Sequence, residues 1–456
     1  MKKQIQDFNF FYFIFNPVVA AYARFHYREA AIRGRENLPK DGCYILAPCH
    51  QNALMEPLAV LYMMHTKPTV FLARADIFQK PVANFFLTFL KIMPVYRIRD
   101  GKSNLSKNNE IFDKSRQVLL SGTPLCLMAE GRHNDRHQLL PLVKGMFRIA
   151  GETQRSLGDK PLYIVPVGID FDEYERPYAN LVVNIGKAIP VQPFMPMFEE
   201  NEPVALNQMR DALTGGLLSV MHDIRSKEHY DEFYTVCNIL NKQARSDRRL
   251  RSNAWNRFQM RRELSHRLDA IEASDADKTD HLCTLAHEYS DICRRLNVRE
   301  KQPSECWPVA VLLAYTLLTA AFVALLCHGG ELGVHARWFV LAWVLCQPLV
   351  YLPIHLIPKK IIKDPQFRSS INYGIHTFVG FFYSIVMAIV VGCMMGWQYG
   401  LLFFAGSFVC ARCAATIVGS FRDFLANWHY RLLQLFRRKD TKRLDAIRHE
   451  LSSLLK

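Results

Sequence analysis

The chain has 456 residues, 50% of them hydrophobic and 22% charged, an ordinary balance that leaves room for two or three domains. Its 57 Lys and Arg outnumber 42 Asp and Glu, and the formal charge of +15 favours polyanions: nucleic acid, anionic lipid or a phosphorylated substrate. Twelve cysteines scattered without a regular spacing exclude a disulfide framework and fit reducing surroundings; the single CxxC, Cys410 and Cys413, lies in an apolar stretch.

Residues 1–35 contain "FNFFYFIFNPVVAAYARF", which lacks the small-residue cleavage site of a secretory signal. Asn16-Pro17 interrupts it, so it reads as a membrane-associated aromatic segment lying on a bilayer or as a first core helix. Residues 36–198 have an α/β rhythm. The runs "CYILAP", "PTVFLA", "TPLCLMAEG", "LYIVPVGI" and "LVVNIG" alternate with helical patterns such as Asn108 to Leu120. One mixed sheet covered by helices is expected there. Residues 199–306 turn charged and helical. Leu264, Leu268 and Ile271 share one face and Leu282, Leu285, Tyr289, Ile292 and Leu296 another, so a hairpin turning at "EASDADK" is expected.

Much of the apolar content follows residue 306. Four blocks, about 309–327, 338–357, 373–396 and 399–418, approach the roughly 20 residues of a spanning helix, so residues 307–420 read as four transmembrane helices. The flanks "RRLNVREK", "KKIIKDPQFR" and "FRDFLANWHYRLLQLFRRK" are basic, whereas "HGGELGVHA" and "MGWQYG" carry no Lys or Arg. The basic side is the cytoplasmic one, so residues 36–198 and a basic tail at 421–456 face the cytoplasm, as at a bacterial inner membrane. Arg412 and His376 within the blocks would face the bundle or a wet cavity.

The chemistry begins at "LAPCHQNALMEPLAV". His50 follows a strand-like run, and Pro57 suits the first position of the next helix, leaving 50–56 as a turn that brings Glu56 back toward the imidazole. A carboxylate on one ring nitrogen raises the basicity of the other, so His50 is a candidate general base. "LKIMPVYRIRDG" ends an apolar run in Arg97 and Arg99, planar cations suited to phosphate. "LCLMAEGRHNDRHQLLPLVKG" sets Glu130 and Gly131 at a strand end, followed by Arg132, His133, Arg136 and Lys144. Basic side chains thus recur at successive strand ends.

In these blocks the sequence resembles the glycerolipid (phospholipid/glycerol-phosphate) acyltransferases, whose His-x4-Asp, Arg-ending, Phe-Pro-Glu-Gly and Val-Pro motifs come in the same order, here across residues 43–190. "ARADIFQKP" and "LLPLVKG" look closest to the branch acting on glycerol 3-phosphate or dihydroxyacetone phosphate. The resemblance implies His50 as general base and Glu56 as its orienting acid. It implies Arg97, Arg99, Glu130, Gly131, Arg132 and Lys144 around the acceptor, and Pro166 on the acyl-donor side. It also implies a membrane-lipid environment and a thioester co-substrate, acyl-CoA or acyl carrier protein, with no cofactor and no metal. The chain departs from the pattern in its His-x5-Glu spacing, in Cys49 where Asn is usual, in "MAEG", and in Arg132 where a small hydroxyl residue is common.

Rival readings attach to other segments. "ARSDRRLRSNAWNRFQMRRELSHR" interleaves Arg with Trp255 and Phe258 as a nucleic-acid binder does, but suits anionic headgroups equally, and no nucleic-acid partner is expected. The apolar blocks would also suit a transporter-like or membrane-anchored binding protein with a weakened acyltransferase domain, and His133, Asp135 and His137 have a metal-like HxxxH spacing.

Overall fold

The apolar runs become strands because each is flanked by turn residues and is too short for a helix. A computed structural model describes residues 4–64, 67–96, 102–174, 179–299, 366–374, 377 and 379–455, with a few single positions between 324 and 337. Its first unit comprises residues up to Ala23, the chain from Glu29 to Tyr174, and Ala179–Asp223.

In chain order the strands are β1 (Glu29–Arg33), β2 (Cys43–Pro48), β3 (Val70–Arg74), β4 (Ile92–Val95), β5 (Leu125–Cys126), β6 (Leu162–Phe171), β7 (Asn180–Ile185) and β8 (Ile189–Pro190). Among the described residues they form one sheet ordered β1-β7-β6-β2-β5-β3-β4, with β8 also on β6. β6 runs parallel to β2, and β2, β5, β3 and β4 are mutually parallel, whereas β7 and β8 run antiparallel to β6. The mixed sheet expected from the sequence is present, and every quoted run contributes a strand. β2 is buried along its whole length between β6 and β5, which is why "CYILAP" does not alternate.

Pro166 stands in the middle of β6, where a proline would ordinarily leave a gap in the ladder. β8 pairs with Tyr163 and Ile164, and β7 begins its pairing at Val167. The proline therefore falls at the changeover between two partners, where no donor is required. Its carbonyl still accepts from Gly186 N at 2.9 Å.

Helices α1 (Phe10–His26), α2 (Met55–Met63), α3 (Pro81–Phe89), α4 (Lys102–Leu120), α5 (Gly145–Leu157), α6 (Met195–Glu200) and α7 (Glu202–Leu218) complete the α/β part. The segment around α1 has two unlike faces. Tyr12, Asn16, Val19 and Ala20 are buried, while Phe8, Phe10, Phe11 and Phe13 are exposed. Phe89 of α3 holds the inner face through Tyr12 and Phe15, at 6.4 and 6.2 Å between ring centroids. The unit does not end near residue 198. α7 packs against β6, and the chain stays with the sheet through Asp223.

The second unit takes in the chain from Ile224 onward, with Arg24–Arg28. The expected hairpin is there as α9 (Ala254–Ser274) and α10 (Ala276–Arg295), separated by Asp275 alone, whose carboxylate caps α10 by accepting from Lys278 N at 2.9 Å. It is half of a bundle. α8 (Tyr230–Asp247) and a helix read as basic tail, Arg438–Leu454, supply Phe233, Leu240, Leu444, Ile447 and Leu451 to a shared core with Leu268 and Tyr289. Phe258, one of the two aromatics in the nucleic-acid reading, is fully buried, with the Arg262 guanidinium 5.6 Å from its ring.

The four-span arrangement finds no support. Among the described residues no helix is long and apolar enough to cross a membrane. The third block yields a helix of 16 residues, Gly380–Met395, ended by Gly396 at φ 110°. The fourth block runs without a break into the polar "FRDFLANWHYRLLQLF", inside one helix from Trp397 to Phe436. The first block, save Ala324, and the whole second block lie outside the described residues, as does His376; the side chain of Arg412 is likewise undescribed.

Candidate active site

Parallel strands gather their carboxyl ends at one edge of a sheet, where the following loops are free to carry chemistry. Here β2 delivers His50 to that edge, β5 leads to Glu130, and β6 brings Asp170.

The turn after β2 is built around Glu56. The helix begins at Met55, two residues before the start expected from Pro57, so Glu56 lies in its first turn and reaches back. Its Oε1 accepts from the backbone N–H of Gln51 (2.8 Å) and of Asn52 (2.5 Å), and its Oε2 lies 3.3 Å from His50 Nδ1. The carboxylate is fully buried, whereas the His50 side chain keeps 15% of its surface, enough for a substrate to reach it. Ala53 absorbs the extra residue of the His-x5-Glu spacing by adopting φ 46°, a left-handed conformation that an alanine takes at a cost of about 1–2 kcal/mol. The pairing of His50 with Glu56 is thus made despite the altered spacing.

Glu130 has a different task. Its Oε1 accepts from His50 N at 2.7 Å and its Oε2 from Leu140 N at 2.9 Å, so one buried carboxylate fastens the histidine's backbone to the loop beyond β5. Burial pushes this carboxyl up to about 7, although the two N–H donors and the nearby His50 oppose the shift. Asn134 N, on the same loop, donates to His50 O at 3.1 Å, and the His133 ring meets the His50 ring edge-on with centroids 5.7 Å apart. Cys49, in place of the usual Asn, is fully buried. Its thiol donates to Ile169 O and accepts from Ile169 N, and burial, then the Glu130 charge, raise it well above the ordinary thiol range. It is a packing group held protonated and not a nucleophile.

The other candidates distribute unevenly. Gly131 follows Glu130 at φ 66°, and a Cβ there would come within 3.2 Å of Val143, so a tight turn requires glycine. Arg132 and Lys144 are exposed on the two arms of that loop, and Lys144 precedes α5. Arg97 and Arg99 lie outside the described residues. Pro166 is buried within β6 against Gly186 and Gly216. The HxxxH pair is split: His133 faces His50, while His137 is drawn toward Asp170, 3.4 Å away. Sequence spacing had not signalled that last contact, nor the use of Glu130 as a backbone acceptor.

Beside the sheet's far edge a groove of about 1180 Å³ runs between the N-terminal segment, α3, β4 and α4, lined by Phe85, Phe86, Phe89, Met93 and Ile111 among others. Lys91, buried, holds the N-terminal segment against it by donating to Ile5 O (2.6 Å) and Asp7 O (2.9 Å).

A family model described as Acyltransferase matches residues 29–170, the stretch that carries β1 through β6 and both carboxylates around His50. Residues 29–170 are an acyltransferase-family domain. The family resemblance drawn from the four motif blocks therefore holds. The 1-acyl-sn-glycerophosphate acyltransferase PlsC of Thermotoga maritima is similar in structure, at 18% identity over 44% of this chain and 78% of that one, with a TM-score of 0.31. No curated protein matches the sequence.

Proposed function

We propose that the acyltransferase domain moves a fatty acyl group from an acyl thioester, acyl-CoA or acyl carrier protein, to a hydroxyl of glycerol 3-phosphate or a related glycerol phosphate, 1-acylglycerol 3-phosphate included. The observation that carries this reading is the contact between His50 Nδ1 and Glu56 Oε2 at the carboxyl edge of the sheet. With Nδ1 held, the other ring nitrogen takes the hydroxyl proton as the oxygen attacks the thioester carbonyl. The C–O bond forms, the tetrahedral intermediate collapses with cleavage of C–S, and the imidazolium returns its proton to the departing thiolate. Glu56 stabilises the transient cation and takes no proton itself.

The acceptor's phosphate is assigned to Arg97 and Arg99, with Arg132 and Lys144 as further cations at the same edge. The net charge of +15 favours such a substrate and an anionic membrane surface alike. The exposed aromatic residues around the start of α1, with Phe85 and Phe86 on α3, form an apolar face suited to resting in headgroups, and the adjacent groove suits an acyl chain. The domain would then work at the cytoplasmic surface of a membrane.

The test offers the purified full-length chain each glycerol-phosphate acceptor with each acyl donor and identifies the lipid products by mass. Transfer to one acceptor, abolished in His50→Ala, is expected. In Arg97→Ala the acceptor KM should rise about tenfold with the donor KM unmoved, and Arg97→Lys should rescue it incompletely. Folded protein that transfers acyl groups to none of the acceptors from either donor would overturn the reading.

A further inference from the structure

Next to the His50 turn lies a second group of ligating side chains that the acyl-transfer scheme does not use. His137 comes from the loop after β5, Asp170 from the end of β6, and His222 from the segment after α7. All three are buried, and one ligand atom of each lies within 4.8 Å of the other two. His137 Nδ1 is 3.4 Å and His222 Nδ1 3.9 Å from the same oxygen, Oδ1 of Asp170, and the two imidazoles lie tilted at 39° with centroids 4.6 Å apart.

The backbone is shaped to bring them together. Gly168 faces Val220 so closely that a Cβ there would meet Val220 O at 2.2 Å, and Asn184 Nδ2 donates to that carbonyl at 2.9 Å. The segment carrying His222 is thereby drawn onto β6 two residues from Asp170. Two imidazoles are thus buried against one carboxylate oxygen. The same set is what a borderline divalent cation binds.

We propose that His137, Asp170 and His222 form a binding site for a structural divalent transition-metal ion of the zinc class. Metal–ligand bonds of 2.0–2.1 Å in a tetrahedron separate neighbouring ligand atoms by about 3.3 Å, so closing the cluster around an ion takes shifts of well under an ångström for the two measured contacts. Water completes the coordination, with the Tyr174 hydroxyl also near, 3.3 Å from His137 Nδ1. The site takes no part in acyl transfer. Its effect reaches the turn through hydrogen bonds: Leu139 N donates to Asp223 Oδ1 and Leu140 N to Glu130, while Tyr174 donates to Gln51 Oε1 at 3.0 Å. An ion there pins the loop that Glu130 ties to His50.

The experiment measures metal content and thermal stability of the full-length chain, neither of which depends on knowing the acyl acceptor. Wild type incubated with Zn²⁺ and dialysed should retain about one equivalent. A strong chelator should lower its Tm by on the order of 5–10 °C, and added Zn²⁺ should restore it. Co²⁺ in its place should give the visible bands of a low-coordinate site. Asp170→Asn and His222→Gln should retain under about a tenth of an equivalent and lose the chelator response. His281→Ala, which removes an exposed histidine paired with Glu450, should behave as wild type. Because the chelation and cobalt measurements use wild type, they decide the matter even if a variant fails to fold. Wild type that retains no metal and shows no chelator-dependent Tm, or variants that hold it equally well, would overturn the proposal.

Discussion

The two buried glutamates around His50 do opposite jobs. Glu56 stands six residues from the histidine, and both of its backbone donors come from the same turn, so the pairing with the ring is a local product of one loop. Glu130 stands eighty residues away and bridges two strand-end loops through His50 N and Leu140 N. The first carboxylate aims at the ring, the second at the backbone. A loss at Glu56 should therefore appear in chemistry, and a loss at Glu130 in stability.

The largest effect is expected where both carboxylates converge. His50→Ala should lower kcat about 10²–10⁴-fold, measured on washed membranes or purified protein at matched expression, with Tm little changed. A full-rate His50→Ala would remove the base from both sides of the comparison. Glu56→Gln keeps the shape and loses the charge that holds the imidazolium, and should cost about 10²-fold or more in kcat. Glu56→Asp, one methylene short of the His50 ring, should also fall below wild type, because Glu56 already reaches Nδ1 only at 3.3 Å.

Glu130→Gln sharpens the contrast. An amide offers one acceptor where the carboxylate offers two, so a buried backbone N–H loses its partner and about 1–3 kcal/mol of stability should go. Urea unfolding should detect it, with a smaller effect on kcat than in Glu56→Gln. The pH dependence carries the same signature. The folded chain holds the Glu130 proton up to about pH 7, whereas the unfolded chain releases it near the ordinary 4.5. Between those limits the folded state binds more protons, so this group's contribution to stability falls as pH rises, by up to about 1.4 kcal/mol per unit. Glu130→Gln should lack that slope. Smallest is Ala53→Gly, which relieves the left-handed strain in the Glu56 turn while adding freedom to the unfolded chain. A net gain of about 0.5 kcal/mol or less is expected, with kcat unchanged.

What could be read ahead of the structure divides along the same line between local and distant. The central strands were legible because burial on both faces demands unbroken apolar runs, and the His50–Glu56 turn because its residues are neighbours. "EAAIR" and "IMPV" were not, being short edge strands with little to distinguish them from loop. α7 read as part of the charged helical stretch, since what binds it to the sheet is its contact with β6. The His137–Asp170–His222 cluster joins three elements with no sequence spacing to announce it, and proximity in sequence pointed instead to His133. Four spans were inferred from average hydropathy, which does not register where Gly396 stops a helix or where one runs on into polar sequence.

The bundle of the second unit has a consequence for synthesis. Its core opens at Ile224 and is closed by Leu444, Ile447 and Leu451, about 150 residues beyond Leu296. At a ribosomal rate of about 5–20 residues per second, α8, α9 and α10 would wait on the order of ten to thirty seconds with an apolar seam uncovered before their fourth partner emerges. During that interval the nascent chain is a ready client for a chaperone, and a ribosome stalled anywhere after Leu296 would leave the seam open for proteolysis.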